Sequence, residues 1–174
     1  MIEVVVMLGI ITMISTVVLV SFTGLSEGGA INRASRELAL AIRRAQNMSL
    51  AVTQVETSSG PKIPDAVGIR LDKAVPSAYF LFVDVVRDNR YTSDDAKIGA
   101  DEALPAGVRI NSLLDSSNAS YSIVHIMFSA PEAVVAITGT DGTSIGDRVE
   151  MELSSSSGKK KKVVARTSGQ ISIK

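Results

Sequence analysis

The sequence predicts an α+β chain: a long N-terminal helix, transmembrane in its first part and amphipathic in its second, packed on an antiparallel β-sheet or small β-sandwich head. Three observations predict it. Between Glu3 and Glu27 the chain carries no charge. From Ile31 to Val52 apolar residues recur at helical spacing. From Ala66 onward the apolar period changes to two, in short runs divided by turn residues.

The first element is the run Val4–Val20, seventeen residues of Val, Ile, Leu, Met, Gly, Ser and Thr. That is the lower end of what crosses a bilayer. As a helix it covers roughly 25 Å, and continuing through Phe22 adds a little more. Val4, Leu8, Ile11, Ile14 and Val18 are the residues expected to meet lipid. The only polar side chains, Thr12, Ser15 and Thr16, carry hydroxyls that can bond back to helix carbonyls and so cost little in an apolar medium. A secretory signal fits poorly, because no Lys or Arg precedes the run and Thr23-Gly24-Leu25-Ser26 is a poor cleavage site. Gly24, Gly28 and Gly29 weaken the helix, so Ser21–Gly29 reads as a flexible or locally melted join.

The second element is an amphipathic helix over Ile31–Val52. Ile31, Ala34, Leu38, Ala41, Ile42, Ala45, Met48 and Val52 form one narrow stripe, while Arg33, Arg36, Arg43, Arg44, Gln46 and Asn47 lie mostly off it. A stripe so rich in Ala can lie closely against a flat partner, and the partner at hand is the sheet that follows. The helix is expected to end by Thr57-Ser58-Ser59-Gly60-Pro61, a breaker cluster.

Strands are then expected at Ala66–Leu71, Tyr79–Val86, Val108–Ile110, Ser122–Phe128, Ala133–Thr138, Arg148–Leu153, Val163–Thr167 and Gln170–Ile173. Asp88–Asp95 reads as a polar, solvent-facing loop, and so does Asp115-Ser116-Ser117-Asn118. Arg148–Leu153 and Val163–Thr167 should form a hairpin around Ser154–Lys162. The organisation is therefore residues 1–26 as membrane helix, 27–57 as amphipathic helix entering the head, and 58–174 as an antiparallel β head.

Composition narrows the function. The chain has 174 residues, no cysteine and zero formal net charge. Neither a disulfide framework nor a thiolate metal site can form. No global field draws the chain to nucleic acid or to an acidic surface. Trp is absent and aromatics are few, so the head must build its core mainly from Val, Ile, Leu and Ala.

Glu3 is the first candidate. A carboxylate at the start of an apolar helix is expensive unless it has a partner or reaches water. It can snorkel to the head-group region, or it can pair with a cation from another subunit. Arg33, Arg36, Arg43 and Arg44 form a cationic helix face, read as solvated, with a filament or anionic-lipid contact as the other option. Lys159, Lys160, Lys161 and Lys162 follow four serines and Gly158. Four lysines can neutralise phosphates, which makes nucleic acid one partner to weigh. They lack interleaved aromatics for stacking bases, so a solvated hairpin tip guarding an edge strand is the plainer account. His125 is the sole histidine and has no carboxylate pair or Cys nearby in sequence, so neither a zinc site nor a triad is expected. Asp141–Asp147 lacks the EF-hand spacing and reads as a turn. No catalytic residue, metal or cofactor is expected.

The order of elements, together with Met1-Ile2-Glu3-Val4-Val5-Val6-Met7-Leu8-Gly9-Ile10, resembles the type IV pilin and pseudopilin superfamily, whose mature members begin Phe-Thr-Leu-Ile-Glu-Val before a similar apolar helix. Ile2-Glu3-Val4 matches its Ile-Glu-Val. The head looks like the H-type minor pseudopilin branch and its minor-pilin relatives. The supporting residues are Arg36–Ala45, Tyr79-Phe80-Leu81-Phe82, Leu104-Pro105-Ala106-Gly107-Val108, Ile126–Pro131 and Ser168–Ile173.

The resemblance implies a structural subunit, not an enzyme. It would be anchored once in the inner membrane with its head outside the cytoplasm, then built with other pilin or pseudopilin subunits into a type II secretion pseudopilus or type IV pilus, as a tip or minor component. It implies that Glu3 sets register against a neighbour's amino terminus, and that a prepilin peptidase processes and methylates the full-length precursor. The basic leader ending in Gly, and the Phe-Thr-Leu, are not in this sequence, so processing and methylation are assigned to no residue here. The positive-inside rule applied to the arginines alone would put the head in the cytoplasm; the resemblance puts it outside. Two alternatives stand beside the filament subunit: a DNA-binding minor pilin acting through Lys159–Lys162, and a membrane-anchored β-domain of other function.

Overall fold

The computed structural model describes residues 2–51, 54–130 and 134–174; of these, the side chains of residues 19–26 and Lys62 are not described. Met1, Val52, Pro131 and Ala133, which the sequence assigns to the N-terminal motif, the apolar stripe and two strand ends, lie outside the described residues. The expected join at Ser21–Gly29 falls within α1, where Glu27, Gly28 and Gly29 are helical and the side chains of residues 21–26 are not described.

The expected class, a long helix packed on a small head, is overturned. The molecule is mostly β. Among the described residues helix is confined to α1 (Ile2–Ala51), with side chains described over residues 2–18 and 27–51, while eleven strands form three antiparallel sheets. The strands are β1 (Val55–Thr57), β2 (Gly60–Lys62), β3 (Ala66–Asp72), β4 (Ala78–Val83), β5 (Ala96–Ala103), β6 (Val108–Asp115), β7 (Ile123–Ser129), β8 (Val134–Thr138), β9 (Arg148–Ser155), β10 (Lys160–Arg166) and β11 (Ile171–Ile173). The physical reason for the error is that charged and Gly-containing segments also pair. Ala96–Ala103, with Lys97, Gly99, Asp101 and Glu102, has no clean alternation, yet it is a full edge strand. Thr57–Pro61 lies beyond the end of α1, as a breaker should, and in addition closes the β1–β2 hairpin, Thr57 pairing with Gly60 around Ser58-Ser59.

The chain weaves between the two larger sheets. The five-stranded sheet has the order β5-β4-β3-β7-β8 and the four-stranded sheet β11-β10-β9-β6. After β5 the chain leaves the first sheet so that β6 can pair with β9 at the edge of the second, and it returns as β7 to pair with β3. Such long-range pairings are invisible to local periodicity.

One core fills the space between sheets and helix. Ile31, Ala34, Leu38, Ala41, Ile42 and Ala45 are buried, as the stripe predicts. They meet Ile69 and Ile126 from the first sheet and Met151 and Val163 from the second. The helix thus touches β3 and β7 on one side and β9, β10 and β11 on the other. At about 1.5–3 kcal/mol for each large apolar side chain fully buried, this stripe is a major fastener of the head.

A second, smaller core lies on the opposite face of the five-stranded sheet, where Ala66, Phe82 and Met127 are buried with Phe80, Tyr91 and Ala136 against them. The cover is the β4–β5 connection, residues 84–95. The expected strand Tyr79–Val86 stops at Val83 for this reason. Asp84 turns inward, and the chain folds over the sheet so that Tyr91 packs edge-on against Phe80 at 4.8 Å and Phe82 at 5.2 Å. Gly68 makes room beneath. A Cβ there would lie 2.2 Å from Met127 Sδ and 2.8 Å from the Phe82 ring.

Candidate functional site

Residues 2–18 of α1 present apolar side chains on every side. Ile2, Val4, Val5, Met7, Leu8, Ile11, Ile14 and Val18 are all exposed, and no element of the head covers them. The hydroxyls behave as the sequence expects: Thr12 Oγ1 donates to Leu8 O at 3.0 Å and to Gly9 O at 2.9 Å, and Thr16 Oγ1 to Thr12 O at 2.8 Å. A helix that satisfies its own polar groups and exposes only hydrocarbon carries a large free-energy demand for an apolar partner. Among the described residues no helix is long and apolar enough to cross a membrane.

Glu3 lies in the first turn of this helix. There the unpaired amides favour a negative charge. Among the described residues it makes no ion pair and no hydrogen bond. The expected register point and the five expected lipid-facing residues, Val4, Leu8, Ile11, Ile14 and Val18, therefore share one uncovered helix segment.

The lysine run is placed differently from expectation. The turn between β9 and β10 spans residues 156–159, and Lys160, Lys161 and Lys162 belong to β10. Lys160 Nζ sits 2.9 Å from Glu152 and Lys162 Nζ 3.1 Å from Glu150, both diagonal cross-strand pairs on the outer face of the four-stranded sheet. These lysines hold Glu152 and Glu150 below the ordinary carboxylate range. Lys160 and Lys162 are therefore already engaged within the sheet.

His125 is buried on the outer face of β7, edge-on to Phe82 at 6.0 Å, with Nδ1 3.2 Å from Gly139 O. Burial pushes the imidazole down to about 4, so it is neutral at pH 7. Asp141 Oδ1 accepts the Thr143 amide at 3.2 Å and hydroxyl at 2.6 Å, which makes residues 141–143 a self-bonded turn.

The site that sequence reading missed is the loop over the outer core. The carboxylates of Asp84, Asp88 and Asp95 lie within 4.8 Å of one another, a grouping that could hold a metal ion. All three are bonded to the chain itself. Asp84 accepts the Arg87 and Asn89 amides, and Asp95 accepts the Val85 amide at 2.8 Å and the Thr92 amide at 2.7 Å. Asp88 accepts Arg90 Nε at 2.6 Å. Burial raises the Asp84 carboxyl above its ordinary range against the pull of its two amides, and Asp95 and Asp88 add to the rise. The trio works as a brace that folds residues 84–95 and puts Arg87 and Asn89 in the left-handed region. Beside it, a cavity of about 280 Å³ is lined by Arg70, Phe80, Tyr91 and Lys97. Its two cations are neutralised locally, Arg70 by Asp72 at 2.9 Å and Lys97 by Asp101 at 2.7 Å. The only local signal for this arrangement is Asp84 after an apolar run, with Asp95 eleven residues on.

No family model, curated protein or solved structure matches the chain.

Proposed function

We propose that the chain is a structural subunit of a filament of the type IV pilin and pseudopilin kind, a minor component of a type II secretion pseudopilus or a type IV pilus. One observation carries this reading. Within α1, residues 27–51 are built into the folded head, while residues 2–18 expose apolar side chains all round and carry one acid at the start. Such a segment requires hydrocarbon from elsewhere, first a bilayer and then the same segments of neighbouring subunits. On this reading the segment waits in the inner membrane with the head outside the cytoplasm. In the filament Glu3 pairs with a cation of the next subunit, because a carboxylate buried among apolar helices without a partner costs several kcal/mol. The chain acts as a scaffold and not as an enzyme, and a prepilin peptidase processes the full-length precursor.

The test is made on the chain in cells that make the sibling subunits. Carbonate-resistant membrane association is expected, together with cross-linking to siblings that falls sharply in Glu3→Ala and is partly retained in Glu3→Gln. Release of the chain by carbonate sinks the anchor. Unchanged cross-linking of Glu3→Ala removes the role of Glu3.

A further inference from the structure

The chain has zero net charge, but its charges are segregated. The solvent side of α1 in the head carries Arg33, Arg36, Arg43 and Arg44 against Glu37 alone, and all five are exposed. Arg44 pairs with Glu102 at 3.3 Å. Arg33, Arg36 and Arg43 make no ion pair among the described residues. Amid these cations stands Leu40, 59% exposed on a helix whose other large apolar residues in the head face inward or lie nearer its end. An exposed leucine ringed by arginines has the form of a docking anchor with a polar rim.

The complementary surface is on the same chain. The loop 84–95 holds four aspartates and two arginines; Asp84 and Asp95 are buried in the brace and Asp88 is held by Arg90, so the acid the loop offers at its surface is Asp94, with Asp65 nearby beside Arg87. The loop exposes two adjacent apolar residues, Val85 and Val86, the latter 51% exposed, and Asp94 is exposed with no ion-pair partner among the described residues. The cationic Leu40 face and the acidic Val85–Val86 face lie on opposite sides of the five-stranded sheet. The helix packs on the sheet's inner face and the loop on its outer face. One molecule cannot bring them together, but two molecules can.

We propose that the Leu40 face of one copy seats on the Val85–Val86 loop of the next copy, with Arg36 and Arg43 of the first against the exposed Asp94 of the second. The two patches differ, so the contact is heterologous and leaves a free patch at each end, to which a further subunit can add. The self-braced loop makes a suitable receiver, because its backbone is already held by Asp84 and Asp95 and little ordering is lost on docking. This inference rests on the filament reading and names the head-to-head surface within it.

The absence of cysteine makes the test clean. Full-length Leu40→Cys and Val86→Cys chains are reconstituted together in uncharged phosphatidylcholine vesicles and oxidised. A mixed dimer is expected, with neither variant dimerising alone, and the double variant should give a ladder. Adding Arg36→Glu and Arg43→Glu should cut the yield severalfold, and adding Asp94→Arg to that pair should recover part of it. Absence of the mixed dimer, or Leu40→Cys homodimers alone, overturns the proposal. So does a yield indifferent to the arginine reversals while those reversals abolish flotation with anionic vesicles, which would make the face a lipid contact. Leu8→Cys in the same vesicles separates the two levels. If Leu8→Cys cross-links and the Leu40/Val86 pair does not, the head contact is wrong and the filament reading stands. If neither cross-links, the head contact between copies is wrong, and the filament reading is decided by the cross-linking to siblings in cells.

Discussion

The two described parts of α1 are built from the same kinds of apolar residue and meet opposite fates. In residues 27–51 the hydrophobes fall on one stripe, with arginines opposite, and Leu38 and Ile42 are fully buried. In residues 2–18 they fall on every side, and all are exposed. A stripe can be satisfied by one folded neighbour, because only one face needs covering. An all-round surface cannot be covered by a head lying on one side of it, so it is left for a solvent or for other chains. The angular distribution of apolar residues, more than their number, decides whether a helix belongs to its own domain.

The sharpest test of that contrast is Leu38→Ala, which should cost about 2–5 kcal/mol because the cavity forms between helix and both sheets. Denaturant unfolding of the full chain in detergent reads it, and a loss under about 1 kcal/mol would mean that the helix is only loosely held. The outer core should be nearly as unforgiving. Gly68→Ala drives a methyl into Met127 and Phe82 and should cost about 1–3 kcal/mol, seen as a lowered midpoint of unfolding. Asp95→Ala leaves the Val85 and Thr92 amides without their acceptor and should cost about 1–3 kcal/mol. Its signature is faster hydrogen exchange across residues 84–95, with the helix stripe still protected.

His125 adds a smaller, pH-dependent effect. Its folded value, about 4, lies below the ordinary 6.5. Between those values the unfolded chain takes up a proton that the folded chain refuses. Stability is therefore complete above about pH 6.5 and declines as pH falls toward 4. His125→Gln should flatten that part of the pH–stability curve, and an unchanged slope would show that the imidazole is not closed in. The smallest effect falls on the bare end of α1. Leu8→Ala should leave head stability within about 0.5 kcal/mol, because Leu8 touches nothing in the head. A loss matching Leu38→Ala would erase the distinction between the two parts.

The local patterns were legible where one face alone is buried. The stripe from Ile31 to Ala45 and the strands Ala66–Asp72 and Ile123–Ser129 lie within a residue or two of their expected positions. The lysine run was misplaced because Lys160 and Lys162 read as tip residues by composition. Their positions are set by pairing with β9, whose glutamates accept them. The edge strand β5 and the braced loop were not legible. β5 gains its ladder from β4 and a further bond from the Ser58 amide to Lys97 O, both far off in the chain, and the loop's aspartates find their partners only after the chain has reversed. The lone histidine read as inert, and the fold keeps it neutral beneath a cover that its own sequence neighbours do not supply.

By itself the sequence determined that the N-terminal segment is apolar without a polar side, that Glu3 stands alone at its start, and that the second part of the helix has one face to hide. Those are properties of residue order on a 3.6-residue turn, and they hold in any surroundings. Only the tertiary structure decided that the protein is mostly β, that its strands interleave between two sheets, and that an acidic loop and a cationic helix face end up on opposite sides of one of them. Strand pairing joins residues far apart in the chain, so the balance of classes and the placement of charge emerge only once the sheets have closed.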